Sequence, residues 1–283
     1  MSDLFPPFAP DPLEPRRRRF KPVPFRMIAP NLITLLALCL GLTAIRLAYE
    51  GRMEPAVYAI VVAALLDGVD GRIARLLKGT SRFGAELDSL ADFVNFGVAP
   101  ALILYSFILH QLKAAGWIAA LVFAIAAGLR LARFNAMIDD PSRAEWKKNF
   151  FVGMAAPAGA ITALLPIYLQ FIGLPMRTTP GPALSFLYLL LIGFLMVSTI
   201  PTFSGKTVGK RVPREWVLPL FVVTVAFFGL LISFPFEVLA TGTFLYLAAI
   251  PFGVARYRHL ERADTSQART LAEPSASPPT SAV

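Results

Sequence analysis

Eight residues across twenty-six positions carry the chemistry this chain is capable of: Asp67, Asp70, Gly71, Ala74, Arg75, Gly84, Asp88 and Asp92. On a helix, Asp67, Asp70, Gly71 and Ala74 share a face at offsets of three, four and seven, and Gly84, Asp88, Asp92 and Asn95 share one at four, eight and eleven. The positions between them are mostly apolar: Leu66, Val69, Ile73, Leu76 and Leu77, then Leu87, Leu90, Phe93 and Val94. Each helix is therefore apolar toward its surroundings and acidic toward its neighbour.

An unbroken apolar run, Ala56–Leu66, leads straight into the first pair of aspartates, which places the carboxylates at the end of a membrane-depth helix. There each costs about 2.5–3.5 kcal/mol, and four approach ~10 kcal/mol uncompensated. Pairing with Arg72, Arg75 and Arg82, helped by snorkelling, accounts for part of the charge. It does not explain why acidic faces on two helices oppose each other. Two divalent cations would balance four aspartates and form the clamp used in phosphoryl transfer. Carboxylate ligands select hard ions such as Mg²⁺ or Mn²⁺. Gly71, Ala74 and Gly84 leave room either for a bulky ligand against the backbone or for close helix packing. Arg75 offers a planar fork suited to phosphate.

The elements that position these residues are membrane spans. The chain has 283 residues, 56% hydrophobic and 16% charged, with a mean hydropathy of +0.62. That balance is far more apolar than a soluble domain. Eight stretches approach the ~20 residues a bilayer requires: Met27–Tyr49, Ala56–Leu77, Leu87–Leu109, Trp117–Ala136, Phe151–Ile172, Ala183–Thr202, Trp216–Phe234 and Val238–Ala255. The sequence thus predicts an all-α polytopic membrane protein with about eight transmembrane helices. Its parts are a basic, Pro-rich leader over 1–26, a transmembrane catalytic domain over 27–255 and a disordered tail over 256–283. With both termini in the cytoplasm, only Arg46, Arg52, Lys113 and Arg177 of the 27 basic residues fall outside. That is the positive-inside distribution.

Several function classes are excluded. The net charge of +9 follows from topology, and no groove-reading or base-stacking motif accompanies it, so no nucleic-acid partner is expected. The single cysteine, Cys39, lies between leucines in an apolar run and reads as packing. His110 and His259 are too far apart for a histidine metal cluster or a catalytic triad. A cation transporter would use intramembrane carboxylates as well, but transporters usually show internal repeats and broken helices near the bilayer centre, whereas here no repeat is visible and the carboxylates hug one interface.

The pattern Asp67-x2-Asp70-Gly71-x2-Ala74-Arg75-x8-Gly84-x3-Asp88-x3-Asp92 resembles the signature of the CDP-alcohol phosphatidyltransferases at every fixed position. Further segments resemble the bacterial and archaeal phosphatidylserine synthase branch of that family. These are Pro30-Asn-Leu-Ile-Thr34, the run from Asp92 through Asn95 to Pro100, Arg130-Leu-Ala-Arg133-Phe-Asn135, Phe151-x-Gly153-x3-Pro157, Met196-Val-Ser198 and Ser204-Gly-Lys206. The resemblance implies that Asp67, Asp70, Asp88 and Asp92 bind two divalent ions, Mg²⁺ or Mn²⁺, with Asp92 also the catalytic base. Gly71, Ala74, Arg75 and Gly84 would line the CDP site. It further implies CDP-diacylglycerol and L-serine as substrates, a homodimer among membrane lipids, and a plasma-membrane (inner-membrane) enzyme with its site toward the cytoplasm. Glycerol phosphate, inositol phosphate or choline are the rival acceptors within the family. For an acceptor bearing a carboxylate and an ammonium, Asn95, Arg130, Arg133 and Asn135 are the candidates, with Ser198, Ser204 and Lys206 placed nearer phosphate.

Overall fold

The protein is seen as a computed structural model that describes residues 25–76, 81–138, 150–199, 201–203 and 214–272. The leader up to residue 24, Ser204, Lys206 and the last eleven residues lie outside the described residues.

Helix α1 (Phe25–Tyr49) and helix α2 (Met53–Leu76) form a tight antiparallel pair. Small residues make this possible: Ala37, Ala44 and Ala48 are buried on α1, as are Ala56 and Ala63 on α2. Small side chains let helix backbones approach where no hydrophobic force drives association. The connection is a left-handed turn at Gly51, whose φ of 77° is open to glycine at little cost. Its Gly51 and Arg52 N–H groups cap the α1 carbonyls of Ala48 and Leu47.

The next helix is continuous from Arg82 to Phe107 but not uniform. It runs as α3 (Arg82–Asp92), a π-helical turn over Phe93–Val98, then α4 (Ala99–Phe107). Ala99 N–H bonds to the carbonyl of Val94, five residues back. Pro100 explains the wide turn, since it has no N–H to give Phe96 and its ring would press on that carbonyl. One extra residue in the turn rotates α4 relative to α3. Asp88 and Asp92 can then face α1 and α2 while Ala101, Leu104 and Phe107 enter the core.

Helix α5 (Ala114–Ile138) packs beside this element and against α8 (Gly181–Val197). The stretch expected to be one span over Phe151–Ile172 is instead a strand and two short helices. These are β1 (Phe150–Val152), α6 (Ala156–Ala163) and α7 (Leu165–Phe171). Pro157 and Pro166 sit in the first turns of α6 and α7, where a missing N–H is tolerated, and they set the break at Leu164. Likewise α8 stops at Val197, short of the expected Thr202. Pro201–Phe203 form β2, which pairs antiparallel with β1 and puts Phe150 opposite Phe203. Helices α9 (Arg214–Ser233) and α10 (Pro235–Ala272) complete the described chain. The helix of α10 continues well past residue 255, where the transmembrane domain was expected to end.

Among the described residues, five helical stretches are long and apolar enough to cross a membrane: Ile28–Tyr49, Arg82–Phe107, Ala114–Ala136, Trp216–Ser233 and Pro235–Arg256. Ala156–Phe171 and Gly181–Val197 are shorter apolar segments. The 24-residue α2 has the length, but its last third is charged. Large side chains such as Leu32, Leu42, Leu187, Phe194 and Phe221 point outward. On a soluble protein they would be a liability; on membrane helices they face lipid.

Candidate active site

Three helices build one site. From α1 come Pro30, Asn31 and Thr34; from α2, Asp70, Gly71 and Arg75; from the start of α3, Ser81, Gly84, Ala85 and Asp88. Together they line a cleft of about 200 Å³. Carboxylate oxygens of Asp67, Asp70 and Asp88 all lie within 4.8 Å of one another. Asp92, one turn beyond Asp88, reaches the carboxyl of Asp67 within hydrogen-bonding range. The two acidic faces expected from the helical spacing therefore meet.

The donor set suits a metal. Hard divalent ions hold oxygens at 2.0–2.1 Å, so opposite ligands lie about 4.2 Å apart. Three oxygens within 4.8 Å close around such an ion with small side-chain movements. All three donors are carboxylates, the chemistry that favours Mg²⁺ or Mn²⁺ over softer metals.

Thr34 orients this set. Its hydroxyl stands 2.7 Å from Oδ2 of Asp70 and 3.2 Å from the Pro30 carbonyl, both buried. With one proton, it donates to the charged oxygen and fixes which lone pairs Asp70 turns to the centre. Thr34 was not among the expected site residues. The sequence signal was the Pro30–Thr34 segment, yet nothing local says that its hydroxyl meets a carboxylate 36 positions away.

The two signature glycines differ in kind. A Cβ on Gly71 would meet nothing within 4 Å, so this position opens into the cleft. A Cβ on Gly84 would lie 2.7 Å from Oδ1 of Asn31 and 3.1 Å from Oγ of Ser81. There the protein itself fills the space. Ser81 is the N-cap of α3 and accepts from the Gly84 N–H at 2.9 Å. The positive end of the α3 dipole thus borders the cleft opposite Arg75, an arrangement that attracts phosphate oxygens. Ala74 lies on α2 between Gly71 and Arg75.

The remaining candidates separate. Arg130 is 7% exposed, and its Nε has no hydrogen-bond partner. Its guanidinium carbon stands 5.8 Å from the Phe134 ring centroid, and its charge faces Asp92, Asp67 and Tyr246. Arg133 is committed elsewhere: it donates to the carbonyls of Val197 at 2.5 Å and Ser198 at 3.0 Å, closing the end of α8. Ser198 adds a bond from its hydroxyl to Leu195 O at 2.8 Å. Asn135 donates to Ser89 Oγ at 2.9 Å, tying α5 to α3. Asn95 is buried in the π-helical turn, where a Cβ on Gly41 of α1 would collide with its Oδ1. It is a helix-contact residue outside the cleft lining.

The sequence model of the family described as CDP-alcohol phosphatidyltransferase matches residues 27–205, and that described as CDP-alcohol phosphatidyltransferase 2 matches residues 215–251. The chain is 40% identical over 237 residues to a CDP-diacylglycerol–serine O-phosphatidyltransferase of Mycobacterium leprae, covering 82% of this chain and 76% of that protein. Identity to the protein of that name from Mycobacterium tuberculosis is 41% over 235 residues, or 82% and 80% of the two chains. For the one from Helicobacter pylori it is 35% over 235 residues, or 82% and 91%.

Proposed function

The chain belongs to the CDP-alcohol phosphatidyltransferase family, and on that premise we propose that it transfers the phosphatidyl group of CDP-diacylglycerol to the hydroxyl of L-serine, giving phosphatidylserine and CMP. The observation that carries this reading is the convergence of Asp67, Asp70 and Asp88, with Asp92 alongside, in a chain whose relatives over four-fifths of its length bear the serine-transferase name.

The pyrophosphate of the lipid lies in the cleft between Arg75 and the α3 N-terminus, and the nucleotide fits against the open face at Gly71. The serine oxygen attacks the phosphorus that carries the diacylglycerol. A bond forms from that oxygen to phosphorus, the bond from phosphorus to the CMP oxygen breaks, and CMP departs with the electron pair. Asp92 takes the hydroxyl proton, since a neutral hydroxyl is a weak nucleophile. Arg130, buried beside Asp92 with an open Nε, holds the serine carboxylate and sets the hydroxyl toward the base. Two divalent ions, Mg²⁺ or Mn²⁺, held by Asp67, Asp70, Asp88 and Asp92, would neutralise charge developing on the pyrophosphate and the leaving group.

The same proposal includes eight spans, with α2 and the shorter apolar segments added to the five long ones. Both termini are then in the cytoplasm of a cell whose inner membrane holds the protein, and the carboxylates face the cytoplasm. The charge distribution supports this orientation. A homodimer, expected from the family resemblance, completes it.

An acceptor panel tests the reading. With CDP-diacylglycerol and Mg²⁺ supplied, L-serine should stimulate CMP release by the purified protein far more than glycerol phosphate, inositol phosphate or choline. Excess chelator should stop turnover in every arm. Preference for glycerol phosphate would overturn the serine assignment and leave the family membership standing.

A further inference from the structure

Among the described groups that face Arg130, Asp92 and Asp67 belong to the metal and base machinery, and Arg133 is spent on α8 carbonyls. Tyr246 of α10 also faces it and is so far without a part. Its side chain is half-buried where α10 meets the start of α6, and its phenol oxygen accepts from the Ala155 N–H. With the oxygen accepting there, the phenol's own proton points away from Ala155. Neither neighbour can receive it, because a guanidinium and a backbone N–H are both donors. The Nε–H of Arg130 is buried and has no hydrogen-bond partner. Two donors from different helices are therefore aimed at the same side of the Asp92 centre.

The backbone strengthens their attraction for an anion. Ala155 is the N-cap residue of α6, and that helix begins without a side-chain cap. The positive end of its dipole therefore lies at the phenol oxygen. A carboxylate answers this arrangement. It has two oxygens and nothing to donate, so one oxygen accepts from Arg130 and the other from Tyr246. An acceptor that lacks the carboxylate leaves a buried guanidinium and a phenol unpaired. Sites built on such hydrogen bonds discriminate far more strongly than apolar pockets do.

We propose that Tyr246 determines acceptor specificity, its hydroxyl donating to one oxygen of the serine carboxylate while Arg130 holds the other. The inference rests on the serine reading given above and deepens it with a residue far outside the Asp67–Asp92 signature.

The test uses the purified full-length protein with CDP-diacylglycerol and Mg²⁺. It compares L-serine with L-serinamide, in which a neutral amide replaces the carboxylate. Tyr246→Phe removes the hydroxyl and keeps the ring. It should raise the serine KM roughly 10- to 100-fold, the worth of a hydrogen bond to a charged group. KM for CDP-diacylglycerol should stay close to wild type, and kcat at saturating serine should fall far less than kcat/KM. The advantage of serine over serinamide in kcat/KM should narrow at least several-fold, since a neutral amide draws less on the bond. A merely structural role would instead lower kcat and treat both acceptors alike.

Ala155→Pro reaches the same hydroxyl from the other side, and it decides the matter if Tyr246→Phe yields no folded protein. The φ of −62° at Ala155 suits proline, which has no N–H to give the phenol. Here the serine KM should rise roughly 3- to 10-fold, as loss of one neutral hydrogen bond implies. An unchanged serine KM in either folded variant, or equal losses with serine and serinamide, would overturn the assignment. A wild-type protein that prefers glycerol phosphate removes the serine reading itself. A retained serine preference with unchanged KM in the variants removes only Tyr246.

Discussion

The two signature glycines, given the same substitution, should respond in opposite directions. At Gly71 an alanine methyl meets no protein atom within 4 Å, and the residue lies inside α2. Replacing glycine by alanine in a helix interior is worth about 1 kcal/mol. For a chain of this size, that raises the unfolding temperature by roughly 2–4 °C. At Gly84 the methyl would lie 2.7 Å from the Asn31 amide and 3.1 Å from the capping Ser81 oxygen. Moving Asn31 off its rotamer costs about 0.5–1.5 kcal/mol, and loss of the N-cap costs about 1 kcal/mol. Against the helix gain, Gly84→Ala should be destabilising by about 1 kcal/mol, with its midpoint roughly 2–4 °C lower. Activity should fall in both. In Gly71→Ala the methyl occupies ligand space, and one intruding carbon is worth roughly 10–200-fold in kcat/KM. Thermal unfolding in detergent, paired with CMP release at varied CDP-diacylglycerol, separates the two quantities. A Gly71→Ala protein that is stabilised and fully active would show that the open face at Gly71 is not where the nucleotide rests. One that is destabilised would show that a helix contact, and not a ligand, requires the glycine.

Thr34→Val should weaken apparent Mg²⁺ affinity about 10- to 100-fold, the range for a side chain that orients a metal ligand, while Thr34→Ser stays near wild type; a titration of activity against Mg²⁺ decides. Asp92→Asn should lose about 10²–10⁴-fold in turnover yet bind CDP-diacylglycerol nearly as well, whereas Asp70→Asn should lose metal and lipid-nucleotide binding together; near wild-type turnover in Asp92→Asn would remove the base assignment. Arg133→Ala should lower the unfolding temperature, because it strands two α8 carbonyls, and Arg130→Ala should instead raise the serine KM at least ~10-fold, the worth of a charged hydrogen bond. A serine KM that moves with Arg133 and not with Arg130 would exchange their roles. In a Cys39→Ala background, cysteines at Ala115 and Thr178 should react with an impermeant reagent from outside the cell and those at Ser142 and Gly209 should not; the reverse would place the carboxylates on the wrong face for cytosolic serine.

The residues that could be read from sequence are those that a membrane makes conspicuous. Asp67, Asp70, Asp88 and Asp92 stand out because carboxylates are rare at that depth, and helical spacing alone assigns each pair to one face. Their meeting across α2 and α3 follows from two short-range periodicities and one short connection. Thr34, the π-helical turn and the separation of Arg130 from Arg133 depend on long-range partners or on a local break in period. Thr34 acts on Asp70 from another helix. Asn95 was placed beside Asp92 by counting 3.6 residues per turn, but the wider turn around it carries its side chain to Gly41. The two arginines are three residues apart and chemically identical in sequence. What divides them is the end of α8, which supplies carbonyls to Arg133 and none to Nε of Arg130. An arginine whose donors are spent on backbone is a brace, and one kept buried beside two aspartates with a donor to spare is the one we propose for the anion. That difference moves the acceptor reading from a pair of arginines to one.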